Sequence, residues 1–293
     1  MVSEAPAPHL LVIGGSGFLG RHTVAWGQAR GFAVDATYWT SGPQPGLLSP
    51  ARWHRCDIVD AGQIATLVRD ISPTAVINTA YRQNGEGAED ICSLGAHHVA
   101  VAAAEVGARL VQLSTDLVFD GDLGRPYRED DAVSPISSYG SAKVRAEDLV
   151  TETHPNAVIV RTSLIYGHLE APQEQLVHRA IAEGGISFFT DEWRSPVHVK
   201  DLAEAVGVLA TISPATGILH VAGPTRLNRL ELARELAEHM GLDADALVGG
   251  PADPSLGPRA SDVTLDVSKA AGLGFELPAP SMALAADLSL IHI

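Results

Sequence analysis

Cysteine is nearly absent: 293 residues contain two, Cys56 and Cys92. So few thiols exclude a disulfide framework and a cysteine-built zinc knuckle, and make a reducing compartment the expectation. Basic residues are scarce as well. Twenty Lys and Arg against 35 Asp and Glu leave a net charge of −15. No Lys/Arg run interrupts this, which argues against a nucleic-acid or anionic-membrane surface. No apolar stretch approaches the ~20 residues needed to cross a bilayer. The start, MVSEAPAPHLLVIGG, lacks a basic segment ahead of its short apolar run. Neither a signal peptide nor a membrane anchor is expected, and a cytoplasmic location follows.

Aromatics make up only 5% of the chain, so Ala, Val and Leu must build the core. That composition suits Val/Leu-rich buried strands covered by Ala-rich helices. The pattern along the chain agrees. HLLVI (9–13) reads as a buried strand and Phe18 to Arg30 as a helix stopped by Gly31. FAVDATY (32–38) is a second strand, followed by a Pro/Gly-rich loop through Pro50. WHRC, a helix from Asp60 to Asp70 closed by Ser72-Pro73, TAVINTA, an Ala-rich helix from about 91 to 106, and RLVQLS continue the alternation. A helix from Tyr139 to about Thr153 and the strand AVIVRT complete the first half. Alternating β and α elements with short links predict an α/β fold: a Rossmann-type doubly wound parallel sheet. Beyond residue 165 the alternation loosens. A helix near 172–183, a strand ISFF, a helix capped by Asp201, a strand ILHVAG, a helix from Leu230 to Met240 and a loop over 249–258 are expected. The expected organisation is a dinucleotide-binding domain over 1–165 and a smaller substrate-binding lobe over 166–293, interleaved with the last sheet elements.

Gly14-Gly15-Ser16-Gly17-Phe18-Leu19-Gly20 lies between the first strand and the first helix. Gly14, Gly17 and Gly20 supply the tight turn, the close backbone approach to a pyrophosphate, and the close packing of helix on strand. The helix N-terminus then presents unpaired N–H groups to the phosphates. Asp57, after the third strand, reads equally as an adenine neighbour and as a plain exposed acid. Asp35 lies inside the second strand rather than at its end, where a ribose-binding carboxylate belongs. A 2′-phosphate is therefore not repelled, although no Arg stands near to hold it. NADPH is the expected cofactor, with NADH as the alternative.

Tyr139-Gly-Ser-Ala-Lys143 opens a helix, which puts the phenol and the ammonium on one face, one turn apart. The ammonium favours the phenolate and draws the phenol's pKa down from about 10. Five tyrosines and three lysines in 293 residues make an accidental match rare. Thr115 ends the strand RLVQLST, where ligands of a doubly wound sheet collect, so its hydroxyl can hold a carbonyl beside Tyr139. Ser114 reads as a hydroxyl satisfied inside the fold. Arg194 and Arg259 are candidates for a diphosphate or base, because a guanidinium offers bidentate donors. The twelve histidines show no metal-ligand spacing, and no catalytic metal is expected.

The glycine turn, Ser114-Thr115-Asp116…Val118-Phe119-Asp120-Gly121 and Tyr139-x-x-x-Lys143 together resemble an extended short-chain dehydrogenase/reductase. More narrowly they are similar to the dTDP-4-dehydrorhamnose reductase family. The likeness continues through Arg161–Gly167, Asp191–Pro196, Gly217–Gly223 and Ser261–Lys269. The resemblance implies an oxidoreductase of deoxysugar biosynthesis that reduces the 4-keto group of a nucleotide-activated, dTDP-linked 6-deoxy-sugar. It implies Thr115, Tyr139 and Lys143 as catalytic residues. It sets Gly14, Gly17, Phe18, Leu19, Gly20, Thr40, Asp57, Ile58, Thr79, Ala80, Tyr81, Ser114, Tyr139 and Lys143 around the cofactor. Asp116, Val118, Phe119, Leu164, Arg194 and Arg259 fall to the sugar nucleotide. Four stretches depart from the family: Leu164 stands where a tryptophan is usual, Cys92 where an Asn is common, Asn78-Thr79-Ala80-Tyr81-Arg82 replaces an Asn-Ala-Ala-type stretch, and Pro258-Arg259 stands for an Arg-Pro. Related dehydratases carry Thr-Asp-Glu; Leu117 occupies the glutamate position here, so their base is missing.

Two other readings use the same residues. One is a nucleotide-sugar epimerase with tightly bound NAD. The other is a non-catalytic subunit like the regulatory subunit of methionine adenosyltransferase, which resembles the same family. A homodimer is the base-rate expectation for the assembly.

Overall fold

The computed structural model describes residues 8–42, 51–167, 170–253, 255 and 257–284. The polar start and most of the Pro/Gly-rich loop through Pro50 lie outside the described residues. The first part of the chain forms β1 (His9–Ile13), α1 (Phe18–Ala29), β2 (Ala33–Tyr38), β3 (Arg52–Arg55), α2 (Ala61–Ile71) and β4 (Ala75–Asn78). It continues with α3 (Ala88–Cys92), α4 (Leu94–Glu105), β5 (Arg109–Thr115), α5 (Ser138–Thr153) and β6 (Val158–Thr162). Then come β7 (Ile165–Tyr166), α6 (Pro172–Glu183), β8 (Ser187–Phe189), β9 (Trp193–Arg194), β10 (Val197–His198) and α7 (Val199–Thr211). The last elements are β11 (Gly217–His220), β12 (Leu227–Asn228), α8 (Arg229–His239), β13 (Val248–Gly250) and α9 (Ser268–Gly272).

Seven strands make one sheet in the order β11-β6-β5-β4-β1-β2-β3. The pairs from β5 through β4, β1 and β2 to β3 are all parallel. This is the Rossmann-type doubly wound α/β order, in which the direction of winding reverses between β1 and β4. The local sequence explains the elements. Every residue of β4 and β6 is buried, as an apolar run covered on both faces requires. Asp60 caps α2 by accepting from the N–H groups of Gly62 and Gln63, and Ser72 ends it in the left-handed conformation just before Pro73.

The chain divides into two compact units. The first comprises 1–114, 142–160 and 203–218; the second comprises 115–141, 161–202 and 219–293. In the first unit Leu11, Ile13, Val76 and Leu110 from the strands pack with Ile64, Val68, Val99, Ala103, Ala146 and Val150 from the helices. A Cβ at Gly95 on α4 would meet Ile58 Cδ1 at 2.6 Å, so the turn ahead of α2 packs closely on that helix. The second unit has its own core, in which Tyr166, Val177, Phe188, Leu232, Leu236 and Leu247 meet.

Three local readings change. The Ala-rich helix is two helices, α3 and α4, broken at Ser93, whose hydroxyl donates back to the Glu89 carbonyl at 2.8 Å. Such back-bonding competes with the regular ladder and bends a helix. Asp201 does not cap its helix; α7 starts at Val199, and Asp201 in its first turn faces His198 at 3.7 Å. The expected loop after 248 begins as β13, paired parallel to β8.

In the second unit, His220 at the end of β11 is fully buried, edge-on to Phe119 with ring centroids 5.9 Å apart. Burial pushes its pKa down to about 4, and Arg161 adds to the depression. The ring therefore folds neutral while the unfolded chain protonates near 6.5. Below that value the unfolded state binds the extra proton, so stability falls as pH drops from 6.5 towards 4. The loss is on the order of 3 kcal/mol across that window. Urea midpoints measured across it are expected to fall steeply for the natural chain and less steeply for His220→Asn. Equal slopes in the two proteins would remove His220 as the cause.

Candidate active site

The glycine turn closes directly on the switch point of the sheet. Gly14 has φ +76°, and a Cβ there would lie 2.8 Å from the Ala80 nitrogen at the end of β4. A Cβ on Gly20 would meet the Gly14 carbonyl oxygen at 2.2 Å. Only hydrogen at both positions lets α1 start so close to β1. Gly17 is the N-cap of α1 and makes no side-chain cap hydrogen bond, in contrast to Asp60 on α2 and Asn228 on α8. The first turn of α1 also contains no acid. An uncapped helix start framed by glycines fits a dinucleotide diphosphate.

Neighbouring strands hold this turn in place. Thr37 Oγ1 accepts from the Gly14 N–H at 3.0 Å, and Thr79 Oγ1 donates to the Ile13 carbonyl at 2.8 Å. Asn78 Oδ1 accepts from the Ala80 N–H at 3.1 Å, setting the path after β4. Thr37 carries no sequence signal beyond lying near a strand end, and Asn78 only its place at the start of the 78–82 stretch. Leu19 is buried, Phe18 packs edge-on to His22, and Tyr81 is exposed. Asp57 accepts from the Val59 N–H at 3.0 Å, and Ile58 is buried against Gly95.

Asp35 is fully buried within β2, as the sequence indicated, and both its oxygens are occupied. His54 Nε2 lies 2.5 Å from Oδ1, while His9 Nε2 and Arg52 Nη2 lie 2.6 and 2.7 Å from Oδ2. Burial pushes its carboxyl up, but the three donors outweigh that and hold it below the ordinary value. The expectation that no Arg stands near the end of β2 is corrected. Register pairs Tyr38 with Arg55, whose guanidinium lies 4.7 Å from the Trp39 ring centroid, beside exposed Thr40. The sequence separates Arg55 from Trp39 by 16 residues, and only strand pairing closes that gap.

Thr115 is the last residue of β5. Its hydroxyl donates to Asp116 Oδ1 at 3.1 Å and accepts from the Leu117 N–H at 3.2 Å, capping a short 3-10 turn over Asp116–Val118. Asp116 is buried, and Ser163 Oγ donates to its Oδ2 at 2.5 Å. Burial drives the Asp116 carboxyl above the ordinary range, against the opposing pull of Arg194, whose Nε is 3.9 Å from Oδ2. Tyr139, in the first turn of α5, is half-buried. The next residue explains why the helix can begin here: a Cβ on Gly140 would meet the Leu117 carbonyl oxygen at 2.2 Å.

Lys143, one turn along α5 from Tyr139, is buried, and its Nζ donates to the Leu113 carbonyl at 3.0 Å. Burial draws its pKa down, while Cys92 and Glu147 pull it back up. Ser114 is satisfied inside the fold, donating to Glu147 Oε1 at 2.5 Å.

Arg194 and Arg259 come together on Glu192, to which the sequence assigns no task of its own. Arg194 Nη2 lies 3.6 Å from Glu192 Oε2, and Arg259 Nε donates to Oε1 of the same carboxylate. Arg194 Nη1 also donates to the Trp193 and Ala260 carbonyls. Arg229 joins the cluster; burial, followed by repulsion from Arg194, takes its pKa down to about 10. Val118 and Phe119 are fully buried, with Phe119 stacked on Tyr127 at 4.1 Å, so neither leaves side-chain surface for a ligand. Tyr127 in turn donates to Asp120 at 2.6 Å and accepts from the Gly121 N–H, which gives the Phe-Asp-Gly stretch a structural task. Leu164 is half-buried on the core of the second unit. Among the described residues, no group of three or more His, Cys, Asp or Glu could hold a metal ion, and no helix is long and apolar enough to cross a membrane.

Residues 8–288 match the family model described as the RmlD substrate binding domain. The chain is 32% identical over 267 residues to dTDP-4-dehydrorhamnose reductase of Mycobacterium tuberculosis, covering 86% of this chain and 83% of that one. It is 29% identical to methionine adenosyltransferase 2 subunit beta of Rattus norvegicus, covering 92% and 83% respectively. Among solved structures, dTDP-4-dehydrorhamnose reductase from Bacillus anthracis in complex with NADP superposes with a TM-score of 0.81 at 24% identity, covering 96% of this chain and 98% of that one.

Proposed function

The chain belongs to the RmlD substrate binding domain family, and on that premise we propose that it reduces the 4-keto group of a dTDP-linked 6-deoxy-sugar with NADPH. The observation that carries this reading is the pair on α5: Tyr139 exposed enough to meet a substrate, and Lys143 buried one turn behind it. Bound NADPH supplies the hydride. Tyr139 donates its phenolic proton to the carbonyl oxygen as that oxygen gains charge, and Lys143 favours the phenolate left behind. Thr115 orients the carbonyl from the end of β5. Its hydroxyl proton points to Asp116 in the resting protein and must turn to reach a substrate oxygen.

Gly14, Gly17 and Gly20 hold the diphosphate, with Phe18, Leu19, Ile58, Asp57 and Thr79 to Tyr81 around the rest of the dinucleotide. NADPH is favoured over NADH by what surrounds the end of β2. The one acid of that strand is occupied by His54, His9 and Arg52, and Arg55 stands exposed beside Trp39 and Thr40. A guanidinium there suits a 2′-phosphate. Arg259, held on Glu192, and the neighbouring Arg194 and Arg229 are assigned to the anionic sugar nucleotide, with Asp116 and Leu164 facing the sugar. Leu117 in place of a glutamate removes the base that a dehydratase needs. The proposal extends to a homodimer working in the cytoplasm.

Purified protein mixed with NADPH and a dTDP-4-keto-6-deoxy-sugar is expected to consume cofactor absorbance at about 340 nm, with a kcat in the common range of about 1–10³ per second. NADH should turn over less efficiently. Sugar interconversion on retained NAD without net oxidation would replace the reading with epimerisation. Absence of turnover on every 4-keto nucleotide sugar, with other carbonyls reduced, would overturn it.

A further inference from the structure

We infer that Glu147 is a positioning residue for this reaction, the counter-charge that keeps the Lys143 ammonium protonated and in place. The inference deepens the reductase reading and rests on it for the task given to Lys143. The geometry itself is independent of that reading. Lys143 and Glu147 are both almost wholly buried, at 2% and 4% exposure, and lie four residues apart on α5. Each is held by one of two consecutive residues of β5: Lys143 Nζ donates to the Leu113 carbonyl at 3.0 Å, and Ser114 Oγ donates to Glu147 Oε1 at 2.5 Å. Two adjacent turns of the helix are thus latched to the carboxyl end of one strand.

An enclosed ammonium loses its hydration and persists only beside a counter-charge or strong acceptors. Groups that act on Lys143 include Glu147 from its own helix, the Leu113 carbonyl from β5 and Cys92 from α3. Cys92 donates from sulfur to the Arg82 carbonyl at 3.3 Å. The nearby charged pair Arg145–Glu89, at 3.5 Å, has both side chains more than half exposed and screened by water. Glu147, one turn further along the same helix and as deeply buried, is the carboxylate placed to balance Lys143. It needs no contact with substrate or cofactor to do so.

The chain has only three lysines, Lys143, Lys200 and Lys269, and the last two are exposed. Carbon-13 labelling at the lysine Cε therefore gives three signals whose titrations can be followed separately. Glu147→Gln keeps the shape and can still accept from Ser114, and it should lower the pKa of Lys143 by about one unit or more. Glu152→Gln, exposed on the same helix, should leave it within about 0.3 units. In turnover, the alkaline limb of the kcat/KM profile should move down with the lysine. A merely structural glutamate would lower the rate at every pH and leave the limb where it was. An unmoved Lys143 titration in Glu147→Gln overturns the inference. If that variant does not fold, Glu147→Asp decides in its place: drawing the carboxylate back by one methylene should lower the Lys143 pKa by a smaller step, and no change refutes the inference. Natural protein that reduces no 4-keto nucleotide sugar defeats the reductase reading alone; the lysine titration still judges Glu147.

Discussion

Replacing Tyr139 with phenylalanine is expected to lower kcat by about 10²–10⁴-fold, the range supplied by one positioned proton donor. NADPH affinity should stay within a few-fold, because the glycine turn and Lys143 are untouched. The substitution removes one oxygen from a half-buried ring in the first turn of α5 and leaves the ring itself. No buried partner loses a whole side chain, so the melting temperature should hardly move. Without the phenol, hydride can still arrive, but the developing alkoxide must take its proton from water. Parallel measurements of kcat and of NADPH binding by fluorescence separate these effects. The result also bears on the relative named as a methionine adenosyltransferase subunit. Equal activity of Tyr139→Phe and natural protein in their biological assay would make catalysis the wrong account, and a binding subunit the better one.

Gly140→Ala should cost about 10²-fold in kcat, although position 140 carries no chemistry at all. Its Cβ would fall 2.2 Å from the Leu117 carbonyl oxygen and 3.0 Å from Pro135 Cβ. The first of these is backbone within the turn that follows Thr115, and it cannot swing aside as a long side chain would. The start of α5 must therefore move outward by roughly an ångström, and Tyr139 moves with it relative to Thr115. Overpacking of this kind typically costs about 1–3 kcal/mol, so the protein should fold but melt earlier. Ser141→Ala is the control. It removes an exposed hydroxyl that donates to the Ser137 carbonyl, and should change stability by no more than about 0.5 kcal/mol. A Gly140→Ala enzyme with natural kcat would mean that the phenol's position tolerates such a shift.

Most of what bears on the reaction class was readable before any coordinates. HLLVI followed by three glycines, and Tyr139 four residues ahead of Lys143, are patterns whose meaning depends only on residues a few places apart. The boundaries of β1, α2 and α6 fall nearly where the sequence pattern places them. Ser93 was harder. An Ala-rich run promises one helix, and the serine's backward bond to Glu89 is a local competitor that composition hides. Arg55 is hidden for a similar reason, since it neighbours the end of β2 through strand pairing and not along the chain. Neither Glu147 nor Glu192 receives a task from the sequence, because nothing in a sequence announces that a carboxylate will be buried.

Sequence alone determined the alternation of strand and helix, the glycine turn at the first of them, and the phenol–ammonium pair on one helix. Backbone geometry relates residues up to four apart in a nearly invariant way, so these features need no knowledge of the rest. Tertiary structure decided what each charge meets. Asp35 with His9, Arg52 and His54, Arg55 beside Trp39, Arg194 and Arg259 on one glutamate, and Lys143 balanced by a Glu147 latched to β5 all depend on strand register and on burial. Register is the joint outcome of many weak apolar contacts, and burial sets the strength of every charge interaction, so neither could be read from the spacing of the residues involved.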